Sequence, residues 1–315
     1  MIRTREDIHH MASPSTTAGR ADRSAQSAIV NNTWYKGRLS QSLLLIALAL
    51  CTLPAGCARK PWGQTITGDR FSATLDILEE MRQAEALRST CIDADVNIFL
   101  TSTVKNRAIS GYVRLMQPSS VKFITSNPLG QPLVAFVSDG HTVQFVNTIK
   151  SYYTDGSLPS FAKAFDIPEV AYTSNWGTWL TARLPLARTV SEIREDEEKR
   201  GIWVGVTDQA KDHEHGTSQP VREHVLIDPV KKIVLERAFT RANGTIDARV
   251  SYTNLLPETP AAEPLQPGKI TISGLDYDGR LTLEFSTLQS LDNCRTDNFR
   301  LTKPPGYYYQ PLPAQ

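Results

Sequence analysis

The chain lacks the short motifs on which common enzyme classes are built. Its 315 residues contain no Gly-x-Ser-x-Gly elbow, no phosphate-cradling glycine loop and no dinucleotide fingerprint. An excess of charge of one sign is also missing. The formal net charge of +1 gives no electrostatic reason to bind nucleic acid or a strongly acidic partner. No internal repeat occurs, which excludes solenoids and propellers. A membrane-spanning helix is excluded for the one apolar run near the N-terminus, Leu43 to Leu53, which has 11 residues where about 20 are needed. Metal-like clustering is confined to Asp212-His213-Glu214-His215. The two histidines are two apart, without cysteine partners or helical His-x-x-x-His spacing, so a solvated hairpin tip is expected and no metal or cofactor. His141 and His224 are expected to be structural, and Glu195-Asp196-Glu197-Glu198 a solvated face.

What is present is an ordinary globular composition, 40% hydrophobic and 21% charged, organised by the stretch Val121 to Asn147. Asn127-Pro128-Leu129-Gly130 reads as a type I turn, which places Leu129 third and projects it from the strands. Asp139-Gly140 reads as a second hairpin turn. The strand between them is apolar on both sides, with Leu133, Ala135 and Val137 on one and Val134 and Phe136 on the other. A half-solvated strand would alternate apolar with polar. One face is therefore expected under helices and the other against an open apolar cavity, with burial in a two-layer core as the alternative.

The apolar run has the length of a secretory signal core. Lys36 and Arg38 precede it and Pro54-Ala55-Gly56-Cys57 follows, a pattern that resembles a bacterial lipoprotein signal with Cys57 as the acylated residue. Pro54 departs from the Leu usual there. An ordinary cleaved signal or a short anchor is the alternative. Residues 1–35 are polar and include Glu6, Asp7 and Asp22, so translation is expected to start downstream of Met1. Ala58 after the cysteine, in place of an Asp, points to the outer membrane. Export to an oxidising compartment leaves Cys91 and Cys294 as an even pair, expected to form a disulfide worth roughly 4–5 kcal/mol in the chain-entropy model. Two buried free thiols are the alternative.

The remaining periodicities predict a tether over 57–72 and a helix from Ala73 to Leu87, with Leu75, Leu78, Met81 and Ala84 inward. A strand follows from Ile92 to Ser102, then a strand from Ile109 to Met116 and the meander. Short helices are expected over 157–167 and 174–184, with Trp176, Trp179 and Leu180 on one face. After a charged linker, Glu192 to Arg200, strands resume over 202–207, 221–227, 233–239 and 246–252. A loop from Pro257 to Pro267 precedes strands 270–275 and 281–286. The total is eleven or twelve antiparallel strands with about three helices, mainly β (α+β), in one cooperative unit over 73–304 with a tail from 305 to 315.

The corner TSNPLGQPLVAF, the helix Trp179 to Pro185 and the ending FRLTKPPGYY resemble the LolA/LolB superfamily of lipoprotein-sorting proteins, over roughly residues 73 to 305. That resemblance implies an incomplete antiparallel β-barrel of about eleven strands with helices at its concave side. It also implies a hydrophobic cavity for the acyl chains of lipoproteins or other lipids, lined here by Val96, Ile98, Val113, Phe123, Val134, Phe136, Trp176 and Trp179. Leu129, flanked by Pro128 and Gly130, matches a residue that delivers lipoproteins into the membrane. The implied partners are a lipoprotein and a periplasmic LolA-like carrier, the implied place the periplasmic side of the outer membrane, and the implied role non-enzymatic. A phospholipid or glycolipid shuttle or sensor, or a structural envelope lipoprotein with a filled interior, are the alternatives.

Overall fold

The computed structural model describes residues 60–313, apart from 104–105, 168–174, 186–187, 208–221, 260–261, 275–276 and 292–293. Cys57, the signal segment and the 212–215 cluster lie outside the described residues.

The chain begins with β1 (Trp62–Thr65) and α1 (Asp69–Ala86). Six strands follow: β2 (Cys91–Ser102), β3 (Asn106–Met116), β4 (Ser120–Ser126), β5 (Pro132–Ser138), β6 (Thr142–Asn147) and β7 (Tyr152–Ser157). Two short helices, α2 (Leu158–Ala164) and α3 (Trp176–Leu180), interrupt the sheet. It resumes with β8 (Thr189–Asp196), β9 (Ile202–Thr207), β10 (Arg222–Asp228), β11 (Ile233–Thr240), β12 (Ile246–Thr259), β13 (Ala262–Gly274) and β14 (Tyr277–Ser290), and ends in β15 (Tyr308–Tyr309). All form one 15-stranded sheet in the order β1-β8-β9-β10-β11-β12-β13-β14-β2-β3-β4-β5-β6-β7-β15. Every pairing is antiparallel except that of β15 with β7. The sheet does not close on itself, so the architecture is an incomplete β-barrel with helices against it.

Several boundaries differ from the sequence expectation. Trp62–Thr65 pair with β8 and so belong to the sheet, although the stretch reads as tether. Tyr308 and Tyr309 likewise leave the expected tail to pair with Tyr152 and Tyr153. Two- and four-residue strands are too short to show a period. The charged run Glu192–Asp196 is strand, not linker. Asp196 is buried there, accepting from the Trp203 indole at 2.8 Å and from Arg200 Nη2 at 3.0 Å. Burial pushes its carboxyl up, but these hydrogen bonds outweigh that and hold it below the usual range. The expected loop Pro257–Pro267 is instead the far part of the long β12–β13 hairpin, in register from Leu255 opposite Pro267.

Three devices fix the helices. In α1, Thr74, Leu78 and Met81 form the buried stripe, whereas Leu75, expected inward, is 37% exposed. In α2, the Ser157 side chain caps the Ser160 amide. In α3, Asn175 caps Gly177 and Thr178, and Trp179 is buried. The main core joins Leu78 and Met81 of α1 and Trp179 of α3 to inward residues of β2, β3 and β9 to β14. Cys91 and Cys294 are bonded, Cα–Cα 5.7 Å, and tie the C-terminal segment to the start of β2. That segment then crosses the other face of the meander. Lys122 Nζ donates to the Asn298 carbonyl at 3.2 Å, the Leu301 amide to Gln144 Oε1 at 2.7 Å, and Phe299 is buried. The outer side of β4 to β6 is thus covered by the chain's own C-terminal segment, so the two faces of β5 are not divided as the sequence suggested.

Candidate functional site

Residues directly opposite in antiparallel strands share a face. Ile98 lies opposite Ile109 and Leu283, and Val96 opposite Gly111 and Phe285. Ala94 lies opposite Val113, Val113 opposite Phe123, and Phe123 opposite Phe136. Gly111 faces Thr125, which faces Val134. All six candidate strand residues therefore share the inner face, and Trp176 and Trp179 of α3 pack against it. Gly111 is needed in that row, because a Cβ there would stand 2.7 Å from the Ile124 carbonyl oxygen.

Burial along the face is graded. Val96, Val113 and Trp179 are buried in the core beneath α1 and α3. Ile98, Phe123, Phe136 and Trp176 are half-buried at its margin, and Val134 joins a smaller cluster with Phe145 and Phe161. Ile109, opposite Ile98, is 36% exposed. Two cavities among the described residues, about 560 and 240 Å³, are lined by none of the eight candidates. The larger lies against the C-terminal segment, between Gln144, Asp155, Arg300 and Tyr309. What the eight form is a helix-packed core grading into a half-buried apolar face. Among the described residues neither the Trp176 nor the Trp179 indole N–H has an acceptor.

A buried polar cluster holds the helices on this face, and it is absent from the sequence expectations. Arg237, wholly enclosed, donates to Glu223, to the Arg183 carbonyl and, through Nε at 2.9 Å, to the Tyr252 hydroxyl. Burial raises the Tyr252 hydroxyl to about 12. Arg188 also pairs with Glu223. At the end of α1, Glu85 accepts from Arg88 at 2.7 Å and lies 3.5 Å from Arg183 Nε. Arg88 and Arg183 in turn reach the carbonyls of Thr181 and Ser89. Burial pushes the Glu85 carboxyl upward against the pull of these arginines. Charged residues interrupting the apolar runs of β10 and β11 (Glu223, Glu236 and Arg237) were the available signal. Their pairing is tertiary and leaves no local pattern.

The Asn127–Gly130 corner projects from one end of this face. The Gly130 amide donates to the Asn127 carbonyl at 2.9 Å, and Gly130 has φ +77°, a conformation that favours glycine. Asn127 Oδ1 accepts from the amides of Leu129 at 3.0 Å and Gln131 at 2.9 Å. Leu129 is 83% exposed.

No family model matches the sequence, and no curated protein does. Solved structures do. A domain described as an outer membrane lipoprotein-sorting protein, from Vibrio parahaemolyticus, superposes with a TM-score of 0.51 at 12% identity, over 71% of this chain and 95% of that one. The fold is LolA/LolB-like. A DUF1329 family protein from Desulfovibrio piger superposes with a TM-score of 0.50 at 9% identity, over 74% of this chain and 98% of that one. A LolA superfamily protein from Nitrosomonas europaea matches at 11% identity and TM-score 0.45 over 72% of this chain. At such identities the likeness is one of fold. In this LolA/LolB-like fold the inner face is the side on which α1 and α3 lie.

Proposed function

We propose that the protein is a lipid-anchored envelope receptor that holds lipoprotein acyl chains against its inner face and helps insert them into the outer membrane. The reading takes Cys57 as the acylated anchor, Leu129 as the membrane-facing residue and a periplasmic LolA-like carrier as donor. The observation that carries it is the register. Six apolar residues on four strands share one face, which is sealed beneath the helices at Val96 and Val113 and half-buried at the other four. Acyl chains laid on it would bury apolar area on both partners, at roughly 25 cal/mol per Å². Transfer then follows relative affinity and needs no nucleotide. The role in this reading is binding.

The mature chain without its lipid is expected to accept a lipoprotein from its carrier in solution. A folded protein that accepts none refutes the proposal. Leu129→Glu is expected to keep acceptance and lose membrane insertion.

The closely packed half of the interior favours a second reading, a structural envelope lipoprotein filled by its own side chains. Native mass spectrometry separates the two. Co-purified lipid or lipoprotein supports the receptor or a lipid shuttle, and a bare protein that stays bare with added lipid supports the structural role.

A further inference from the structure

A second hairpin at the same end of the sheet also holds out an aliphatic residue beside an asparagine, through a different turn. In the β4–β5 connection Asn127 leads, an aliphatic residue follows two places later, and the Asn side chain braces the turn through the Leu129 and Gln131 amides. In the β6–β7 connection Asn147 leads, Ile149 follows two places later, and Asn147 Oδ1 accepts from the Lys150 amide at 2.9 Å. The turn is closed by the Ser151 amide on the Thr148 carbonyl at 3.4 Å, with Ser151 at φ 51°. Asn147 itself is buried, so the brace is anchored in the fold. Ile149 is 70% exposed and Lys150 is exposed beside it. One exposed aliphatic residue needs no explanation. Two on alternate tips of one meander, each beside an asparagine whose side chain braces the loop, do.

Both tips stand at one end of the sheet, two strands apart and so about 10 Å sideways from each other. Ser126 lies opposite Pro132, and Val134, two residues on, lies opposite Asn147, which sets the β6–β7 tip back about 7 Å along the strands.

We infer that Leu129 and Ile149 form a two-pronged edge that enters a lipid bilayer, with Lys150 at the level of anionic headgroups. This rests on the reading above, in which the protein works against a membrane. A protein partner fits less well, because specific interfaces need about 800 Å² of continuous surface per partner. Two separated prongs beside Gly130, Gln131 and Lys150 offer much less. A bilayer accepts isolated apolar prongs, and binding there grows with inserted apolar area and with lysine against anionic lipid.

The test floats the mature chain carrying Cys57→Ala, which removes the lipid anchor, with vesicles of phosphatidylethanolamine and phosphatidylglycerol. Ile149→Glu and Leu129→Glu are each expected to lower the bound fraction fivefold or more, and Ile149→Leu to preserve it. Lys150→Glu is expected to weaken binding only when phosphatidylglycerol is present, and not at high salt. All three positions are exposed, so unfolding midpoints should match the parent and exclude misfolding. Wild-type flotation by Ile149→Glu, with loss by Leu129→Glu, overturns the second prong and leaves the single corner standing. Ile149→Glu that floats normally but no longer accepts lipoprotein from a carrier makes the tip a protein contact and also overturns the inference. A parent chain that does not float overturns the edge altogether. Uptake of a fluorescent fatty-acyl probe without vesicles then shows whether the acyl-binding reading survives.

Discussion

The indole of Trp62 stacks on the imidazole of His224, with 4.2 Å between ring centroids and 21° between planes. This is how β1, a strand of four residues, closes the outer side of β8 to β11. Trp62 also meets Trp203 edge-on at 5.5 Å, and both pack with Leu226 and Ala238. Burial disfavours the charged imidazole and lowers its pKa. Glu192, 3.8 Å from Nδ1, opposes that shift, as does Glu223, while Arg194 and Arg222 reinforce it. Thr240 Oγ1 lies 3.3 Å from Nε2.

The sign of the pH dependence follows. In the unfolded chain a histidine titrates near 6.5. The folded state resists that proton, so the unfolded state binds more protons below this pH. The His224 contribution is fully present above about 6.5 and is lost as pH falls from there through the lowered folded value. Denaturant midpoints measured between pH 8 and 5 should decline over that interval. His224→Phe should flatten part of the decline. An equal slope in that variant would remove His224 as the cause.

Glu223 sits between Arg237 and Arg188, with side-chain exposures of 4%, 0% and 18% respectively. Removing the carboxylate leaves an enclosed guanidinium with only Tyr252 and a backbone carbonyl. A broken buried pair costs about 3–5 kcal/mol. Glu223→Gln is expected to lower the unfolding free energy by about 3 kcal/mol or more. Glu223→Gln combined with Arg237→Met should recover part of that loss, because the buried charge is gone. Urea unfolding of the two variants checks both, and a double variant no better than the single would reject the charge argument.

The Cys91–Cys294 bond spans a sequence separation of 203. Closing so long a loop in the unfolded chain is worth about 5 kcal/mol in the chain-entropy model. Cys294→Ala is expected to lower stability by several kcal/mol and to expose the outer side of β4 to β6, which residues 294–313 cross. Unfolding with and without reductant, together with hydrogen exchange at Val121 to Ser138, tests this. Unchanged exchange there would mean that Lys122, Gln144 and Asp155 hold the segment unaided.

Legibility in the sequence depended on the range of the interaction. The strand Cys91–Ser102 was readable because Ile92, Ala94, Val96, Ile98 and Leu100 alternate with polar residues, and a period of two is local. The projection of Leu129 was readable because turn chemistry is local too. Ile149 was missed, although Asn147 stands to it as Asn127 stands to Leu129. The residues between lack the Pro and Gly that flag a corner. Asp196 was misread as solvated because its partners, Trp203 and Arg200, are joined to it only by the fold. Proline at 257, 264 and 267 argued for a loop, yet long paired neighbours carry those strands through. The inner-face residues were found by alternation, but whether they enclose a hollow depends on how deeply α1 and α3 sit, which no local pattern encodes.

The graded burial of the inner face separates stability from binding. Val113 is 3% exposed beneath the helices, so a carboxylate there would be buried without a partner, and Val113→Asp should prevent folding. Ile109 is 36% exposed on the same face, where a new carboxylate keeps its water. Ile109→Asp should therefore fold with a midpoint close to the parent. An acyl chain laid across Ile98 and Ile109 would have to desolvate that carboxylate, at a cost above the roughly 1–3 kcal/mol of a neutral polar group. The affinity for a fluorescent fatty-acyl probe should fall tenfold or more, since about 1.4 kcal/mol is a factor of ten. Asn97→Asp, on the opposite face of the neighbouring strand β2, should leave it unchanged. Loss in both variants would point to a general effect of charge, and loss in neither would remove the inner face as the binding surface.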